Sequence, residues 1–208
     1  MYHYYHYSHV IYDIYVTFVT LQMSCLLYLD QEERCVTKKD FSKNCLSQAL
    51  MELLETHEYS DVSIQDIVDK AGFSRMAYYR NFKNLDEMID YYLDAYFLNF
   101  INDTGLSYHR MGAEKFFLTV FNFLASPETR KIAETLDKRG LITHLSAEFV
   151  KRIQGGFVPG QSEYFYSFLA GGLFGVYMGW MHNGYKETPE QLAEQAVIIT
   201  NKISGKLS

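Results

Sequence analysis

The sequence predicts an all-α protein, and three observations support this fold class. From Thr37 onward, helix-capping signals follow one another, and apolar residues recur with the spacing of amphipathic helices. The same region contains no convincing alternating strand pattern and no internal repeat. Only three prolines interrupt the 208 residues, while 16% of the residues are aromatic. Such a composition favours long helices with bulky side chains packed between them.

The first 36 residues differ from the rest of the chain. They begin with MYHYYHYSH, and the apolar stretch 10–29 is interrupted by Asp13 and Gln22 and lacks a small-residue cleavage site. A signal peptide and a membrane span are therefore both disfavoured. We expect residues 1–36 to be an N-terminal extension, either disordered or the product of a misassigned start that precedes the true one at Met23.

The three cysteines lie ten residues apart, a spacing that suits neither a zinc site nor an even set of disulfides. They are Cys25, Cys35 and Cys45. This pattern favours a reducing compartment, and we expect a cytoplasmic protein. Three histidines near the start, His3, His6 and His9, have no cysteine or carboxylate beside them, so no metal site is predicted there.

The first predicted helix begins at Thr37, which forms a capping box with Asp40, and ends near His57. Its apolar residues fall on one face at helical spacing. This face consists of Phe41, Cys45, Ala49, Leu50, Leu53 and Leu54.

Two short helices are predicted next. Ser63 caps the first of them, with Asp66 three residues later, and Gly72 ends it. Ser74 then caps a third helix, which reaches Phe82. Two helices joined by a short glycine-containing turn make the helix-turn-helix arrangement.

Charge distinguishes this arrangement from an ordinary helical hairpin. The formal net charge of the chain is -6, yet residues 37–84 hold seven basic and seven acidic side chains, and the third helix holds no acidic one. A local positive face on an acidic protein suits phosphate binding, because neutralised phosphates release counterions. A solvent-exposed helix with a chance run of basic residues is the alternative.

Residues 47–89, SQALMELLETHEYSDVSIQDIVDKAGFSRMAYYRNFKNLDEMI, resemble the DNA-binding domain of the tetracycline-repressor (TetR) family along its full three-helix length. The resemblance implies phosphate contacts and base-edge contacts with double-stranded DNA. The implied phosphate contacts are Ser63, Ser74, Tyr79 and Asn81, and the implied base-edge contacts are Arg75, Met76 and Ala77. Four basic residues complete the predicted surface, namely Lys38, Lys39, Arg80 and Lys83.

The chemistry of these residues agrees with the implied roles. Ser74 stands at a helix N-terminus, which attracts phosphate. Arg75 can bind guanine through two hydrogen bonds, and Ala77 can contact a thymine methyl group. For Tyr79, packing in the core is the alternative. The sequence departs from the family pattern at Leu85, where a lysine is common, and at Met76 and Ala77, where glycine and threonine are more common.

Residues 37–83 are therefore predicted to form the helix-turn-helix domain, and residues 84–208 a second, roughly six-helix domain for regulation and dimerisation. Its helices are predicted near 84–102, 112–124, 127–138, 140–153, 162–183 and 189–204, with a loop at 154–161. This part contains no glycine-rich phosphate loop, nucleophile elbow or metal-ligand cluster. We therefore predict no catalytic residues, no cofactor and no enzyme activity.

Gly171, Gly175 and Gly179 recur every four residues in FLAGGLFGVYMGW and form one stripe of a helix. Each glycine weakens a helix by roughly 0.5–1 kcal/mol relative to alanine, so close approach of another helix is the expected compensation. This segment and TPEQLAEQAVIITNKI resemble the last two helices of a TetR subgroup, which implies a homodimer through a four-helix bundle. Packing within one subunit is the alternative.

The resemblance also implies a ligand pocket within the C-terminal helices. The candidate lining residues are aromatic, for which simple core packing is the alternative: Phe116, Phe117, Phe121, Tyr164, Phe168, Tyr177 and Trp180. We expect a DNA-binding repressor that a small hydrophobic effector releases from its operator. A regulator that acts through a protein partner, with weak or no DNA binding of its own, is the second hypothesis, and an enzyme is a distant third.

Overall fold

The computed structural model describes residues 38–156 and 162–203. All regular secondary structure within these ranges is helical, which confirms the all-α prediction. A 3-10 turn, Tyr59–Asp61, lies between the first two helices. The helices are α1 (Lys38–Leu54), α2 (Ile64–Ala71), α3 (Arg75–Asn81), α4 (Leu85–Thr104), α5 (Tyr108–Met111), α6 (Ala113–Ala125), α7 (Pro127–Lys138), α8 (Ile142–Gly156), α9 (Glu163–His182) and α10 (Pro189–Ile203).

The predicted N-terminal extension, residues 1–36, lies outside the described residues, together with Cys25, Cys35 and the three histidines. The unit that contains the hydrophobic core begins at Ser42, so most of α1 and all the later helices belong to one compact unit. Upstream of Ser42, only residues 38–41 in the first turn of α1 are described.

The helix boundaries follow from the capping residues. At the start of α2, the Asp66 amide donates to Ser63 Oγ at 3.2 Å, and the Ser63 amide donates to Asp66 Oδ2 at 2.9 Å. This is the predicted capping box. Gly72 ends α2 in the left-handed conformation, with φ 70°, where glycine is favoured.

The junction between α3 and α4 is short. Ser74 Oγ accepts the Ala77 amide at 3.3 Å to open α3. Only residues 82–84 separate α3 from α4, and the side chain of Asn84 accepts the Glu87 amide at 2.8 Å. The two helices are therefore joined without a flexible linker.

The core connects the first three helices with the later ones through α4. Leu46 and Leu50 of α1 and Ile67 of α2 are fully buried, and so are Met88 and Leu93 of α4. Further along the chain, α4 packs against α8, α8 against α9, and α6 against α10. The second half of the described chain is thus a layered helical bundle built onto α4.

Two details differ from the sequence predictions. The four-residue helix α5 was not predicted, because the segment between Gly105 and Gly112 is too short to show helical periodicity. Phe41, assigned to the apolar face of the first helix, has 57% of its surface exposed. Cys45 is a free, half-buried thiol.

Candidate nucleic-acid interface and ligand cavity

Helix α3 has one buried face and one exposed face. Tyr78 is 2% exposed and packs in the core, whereas its neighbours Met76 and Tyr79 are 73% and 64% exposed. Arg75 and Arg80 are exposed as well. The exposed face of α3 therefore combines two cations with two large apolar or aromatic side chains, and the core-packing alternative for Tyr79 does not apply.

Two predicted DNA contacts lie on the buried face of α3. Ala77 is 5% exposed and Asn81 is 6% exposed. The Asn81 amide Nδ2 donates to Ser42 Oγ at 2.9 Å and to the Ala77 carbonyl at 2.8 Å. The assignment of Ala77 to base edges and of Asn81 to phosphates is corrected accordingly: both positions share the inner helix face with Tyr78, and their side chains point into the protein.

The two serines that cap α2 and α3 are exposed at the helix N-termini. Ser63 Oγ also donates to Asp66 Oδ2 at 2.6 Å. Hydrogen bonds from the Ser63 side chain and backbone hold the pKa of Asp66 below its ordinary value, so this carboxylate is charged at neutral pH. The first turn of α2 therefore already contains a charged carboxylate, that of Asp66. The first turn of α3 contains no acidic residue.

The basic side chains around α3 differ in their partners. Arg75 Nε donates to Gln65 Oε1 of α2 at 2.6 Å, and Lys70 Nζ pairs with Glu52 of α1 at 2.9 Å. Lys83, after α3, is exposed. Lys38 and Lys39 stand in the first turn of α1.

A mainly apolar cavity of about 350 Å³ lies among α4, α6 and α8, with one residue from α9. Its aromatic wall consists of Phe97, Phe100, Phe116, Phe117, Phe123 and Phe149. The rings of Phe100 and Phe123 stack with centroids 3.8 Å apart. This volume lies at the lower end of the range of about 300–1,000 Å³ that is typical of small-molecule sites.

Only part of the predicted pocket matches this cavity. Phe116 and Phe117 line it, while Phe121, Tyr177 and Trp180 are buried core residues outside its lining. Tyr164 and Phe168 are 86% and 66% exposed, so their assignment to an internal pocket is wrong. The sequence did not indicate the lining residues that α4 and α8 contribute, among them Phe97 and Phe149.

The lining of the cavity is not wholly apolar, because it includes the cationic side chains of Lys151 and Arg152 of α8. Both side chains pair with Asp94 of α4, and Arg152 also pairs with the buried Glu148. Burial raises the pKa of Asp94, but hydrogen bonds and charges from Lys151 and Arg152 outweigh burial and hold it below its ordinary value. The four side chains form a charge-balanced network between α4 and α8.

The glycine stripe of α9 faces outward in the single protomer. Gly171, Gly175 and Gly179 are exposed, and a Cβ atom added at any of them would meet no neighbouring atom within 4 Å. Beside the stripe, Phe168 and Ile199 of α10 border a shallow apolar groove. Within residues 38–156 and 162–203, no other helix of the same subunit packs against these glycines.

Within residues 38–156 and 162–203, no group of three or more His, Cys, Asp or Glu side chains is arranged to hold a metal ion. In the same part of the chain, no helix is both long enough and apolar enough to cross a membrane.

Two family models match the chain. The model described as bacterial regulatory proteins, tetR family, matches residues 46–92, which include α2, α3 and the start of α4. The model described as a transcriptional regulator C-terminal region, of TetR type, matches residues 133–202. The two matches cover most of the three-helix segment and most of α8 to α10.

One relative and one solved structure agree with these matches. The chain is 26% identical over 78 residues to the HTH-type dhaKLM operon transcriptional activator DhaS of Lactococcus lactis subsp. lactis (strain IL1403). The match covers 38% of this chain and 39% of that protein, so it spans about two fifths of the relative's length. A solved structure titled dihydroxyacetone kinase operon activator DhaS has a TM-score of 0.53 and 16% identity, covering 76% of this chain and 93% of its own. The structural similarity supports the fold.

Proposed function

The chain belongs to the TetR family of transcriptional regulators, and we propose that it is a cytoplasmic repressor that binds operator DNA as a homodimer and is released by a small hydrophobic effector. In this proposal the exposed face of α3 reads the DNA, α9 and α10 form the dimer interface, and the cavity among α4, α6 and α8 binds the effector.

The DNA-binding part of the proposal rests on one observation, the division of α3 into a buried face and an exposed face. An exposed methionine and an exposed tyrosine beside two arginines on one helix face suit contact with a DNA groove, where apolar groups can contact thymine methyls and a tyrosine hydroxyl can donate to phosphate. Arg75 is the proposed base-reading residue, because a guanidinium can bind guanine with two hydrogen bonds. Tyr79, Ser74, Arg80 and Lys83 are the proposed phosphate contacts, and Ser63, Lys38 and Lys39 are proposed as further contacts.

The outward-facing glycine stripe supports the dimer. Because no helix among the described residues of the same subunit covers it, a second copy of α9 could approach closely along Gly171, Gly175 and Gly179. A twofold dimer would also place two α3 helices toward successive major grooves, which lie about 34 Å apart.

Fluorescence anisotropy with the DNA upstream of the protein's own gene tests this proposal. Across a salt series, binding should weaken steeply as salt rises, because phosphate contacts release counterions. Arg75→Ala should weaken binding by roughly 5- to 150-fold, the equivalent of one good bidentate base contact. Tyr79→Phe tests the hydroxyl alone, and Lys115→Ala, an exposed lysine on α6, is the matched control.

A second function is favoured by a specific observation. A relative that the chain matches is named as an operon activator, and the exposed Met76 offers a surface that a protein could contact. In this alternative the chain keeps the fold but activates transcription through a protein partner, with weak or no DNA binding alone. A folded protein without specific affinity for the upstream DNA at low salt would favour the alternative over the repressor.

A further inference from the structure

The two cations in the cavity lining restrict the chemistry of its ligand. We infer that the cavity binds an amphipathic carboxylate, whose apolar part lies among the phenylalanines and whose carboxylate group pairs with Lys151 and Arg152 in place of Asp94. This inference deepens the proposed function by naming the effector class.

The charges of the lining residues support an anion. Apart from Ser107, the polar side chains that line the cavity are the two cations of α8, and neither Asp94 nor Glu148 is among the lining residues. A ligand in the cavity therefore contacts Lys151 and Arg152 but neither of the two carboxylates. A guanidinium fork matches the geometry of a carboxylate, and such charge-assisted hydrogen bonds are stronger than neutral ones.

The degree of burial indicates which of the two carboxylates, Asp94 or Glu148, a ligand carboxylate would displace. The Glu148 side chain is 7% exposed and lies beside Arg152, so moving it into water would require repacking of α8. The Asp94 side chain is 34% exposed and accepts from both cations through the same oxygen, Oδ1. Asp94 can turn toward solvent with little rearrangement, and its charge is then hydrated rather than left buried.

This exchange would alter the contact between two helices. Arg152 Nη2 also donates to the backbone carbonyl of Asp94 at 3.2 Å, so α8 holds α4 through both the side chain and the main chain. A ligand carboxylate that takes over Lys151 and Arg152 would weaken this hold. Only residues 82–84 separate α4 from α3. The ligand would therefore act on the helix that directly follows the proposed DNA-reading helix.

The test compares decanoate with 1-decanol, which has the same chain and no charge. Binding is measured by isothermal titration calorimetry with the full-length protein, at constant ionic strength and below the critical micelle concentration. We expect decanoate to bind at least about tenfold more tightly than decanol, the equivalent of one charge-assisted contact. Equal binding of the two, or binding of neither, would overturn the inference.

Three variants assign the preference to this network. Arg152→Gln and Lys151→Gln should each reduce the ratio of decanoate to decanol affinity, whereas Lys115→Gln on the surface of α6 should leave it unchanged. Asp94→Asn removes the internal competitor and should increase the ratio. Since decanol reports on the integrity of the apolar cavity in every variant, a loss of folding cannot imitate a change of this ratio.

The ligand test and the DNA test have separate outcomes. A protein that binds its upstream DNA but shows no preference for the carboxylate would keep the proposed DNA function and lose only this inference. A protein that prefers decanoate but binds no DNA would keep the inference about the cavity and lose the DNA function. A decanoate-induced change in DNA anisotropy, absent with decanol at the same occupancy, would connect the two.

Discussion

Arg139, at the end of α7, donates from Nε to the backbone carbonyl of Leu54, the last residue of α1, at 2.8 Å. The last turn of α1 contains no basic residue of its own, so a cation from a distant part of the sequence satisfies this C-terminal carbonyl and interacts favourably with the helix dipole. Nη2 reaches the carbonyl of Glu55 at 3.3 Å, and Nη1 pairs with the Glu58 carboxylate. The Arg139 side chain is only 4% exposed.

Replacement of Arg139 by methionine should reduce the free energy of unfolding by about 2–4 kcal/mol, because the charged hydrogen bonds from a buried guanidinium to the carbonyls of Leu54 and Glu55 are lost. Arg139→Lys should fall in between, since an ammonium lacks the planar fork. Urea unfolding followed by circular dichroism measures both. Lys131→Met, which removes an exposed pair with Glu55, is the control and should cost less than about 1 kcal/mol. An Arg139→Met protein within about 0.5 kcal/mol of the wild type would contradict the structural role.

Asn81 and Arg80 are adjacent on α3 and should give opposite results. Asn81→Ala removes two hydrogen bonds from a buried amide and should lower the free energy of unfolding by about 1–3 kcal/mol. Arg80→Ala, on the exposed face, should change it by less than about 0.5 kcal/mol and instead weaken DNA binding. Chemical unfolding and DNA anisotropy on the same two proteins test the pattern. An Asn81→Ala protein with wild-type stability and weakened DNA binding would restore the phosphate contact that the sequence analysis predicted.

Gly175→Leu should raise the dissociation constant of the dimer by at least about tenfold, because the side chain would prevent close approach of a second α9. Within one protomer a Cβ atom at Gly175 would meet no described neighbouring atom within 4 Å, and leucine favours a helix more than glycine does, so the fold should be kept. Sedimentation velocity over a dilution series measures the effect. Asn122→Leu adds the same side chain at an exposed position of α6 and should leave the dissociation constant unchanged. If both variants dimerise like the wild type, the glycine stripe does not lie in the interface.

Acid should destabilise the protein partly through Asp94. The pKa of Asp94 is lower in the folded protein than in the unfolded chain, so its contribution to stability is complete above the ordinary value of about 3.9 and is lost as pH falls through the folded value. The stability difference between the wild type and Asp94→Asn should therefore shrink between pH 5 and pH 3. Urea midpoints at the two pH values measure this difference. A difference that stays constant would remove Asp94 from the acid transition.

The helix ends could be predicted closely because their signals are local. Ser63 with Asp66, Gly72 and Pro127 each specify the backbone within one turn of their own position, and each lies where the sequence placed it. The burial of Ala77 and Asn81 could not be predicted from the family resemblance, because the resemblance assigns roles by sequence position. The register of α3 contained the signal: Ala77 and Asn81 are four residues apart and follow the same inner face as Tyr78.

The cavity could be predicted only in part, for a different reason. Helical periodicity identified Phe116 and Phe117 as an apolar face, but it does not indicate which other helix or what empty space lies opposite. The contributions of Phe97, Phe149 and Arg152 depend on the packing of α4 against α8, which brings together residues more than fifty positions apart in the sequence.

The close junction of α3 and α4 makes α4 a mechanical lever. Its 20 residues form a rod about 30 Å long, at 1.5 Å per residue. Only three residues, 82–84, separate this rod from α3. Each degree of tilt about one end displaces the other end by about 0.5 Å. A rotation of a few degrees, smaller than the scatter among ordinary helix crossings, would therefore shift α3 by roughly half the length of a hydrogen bond.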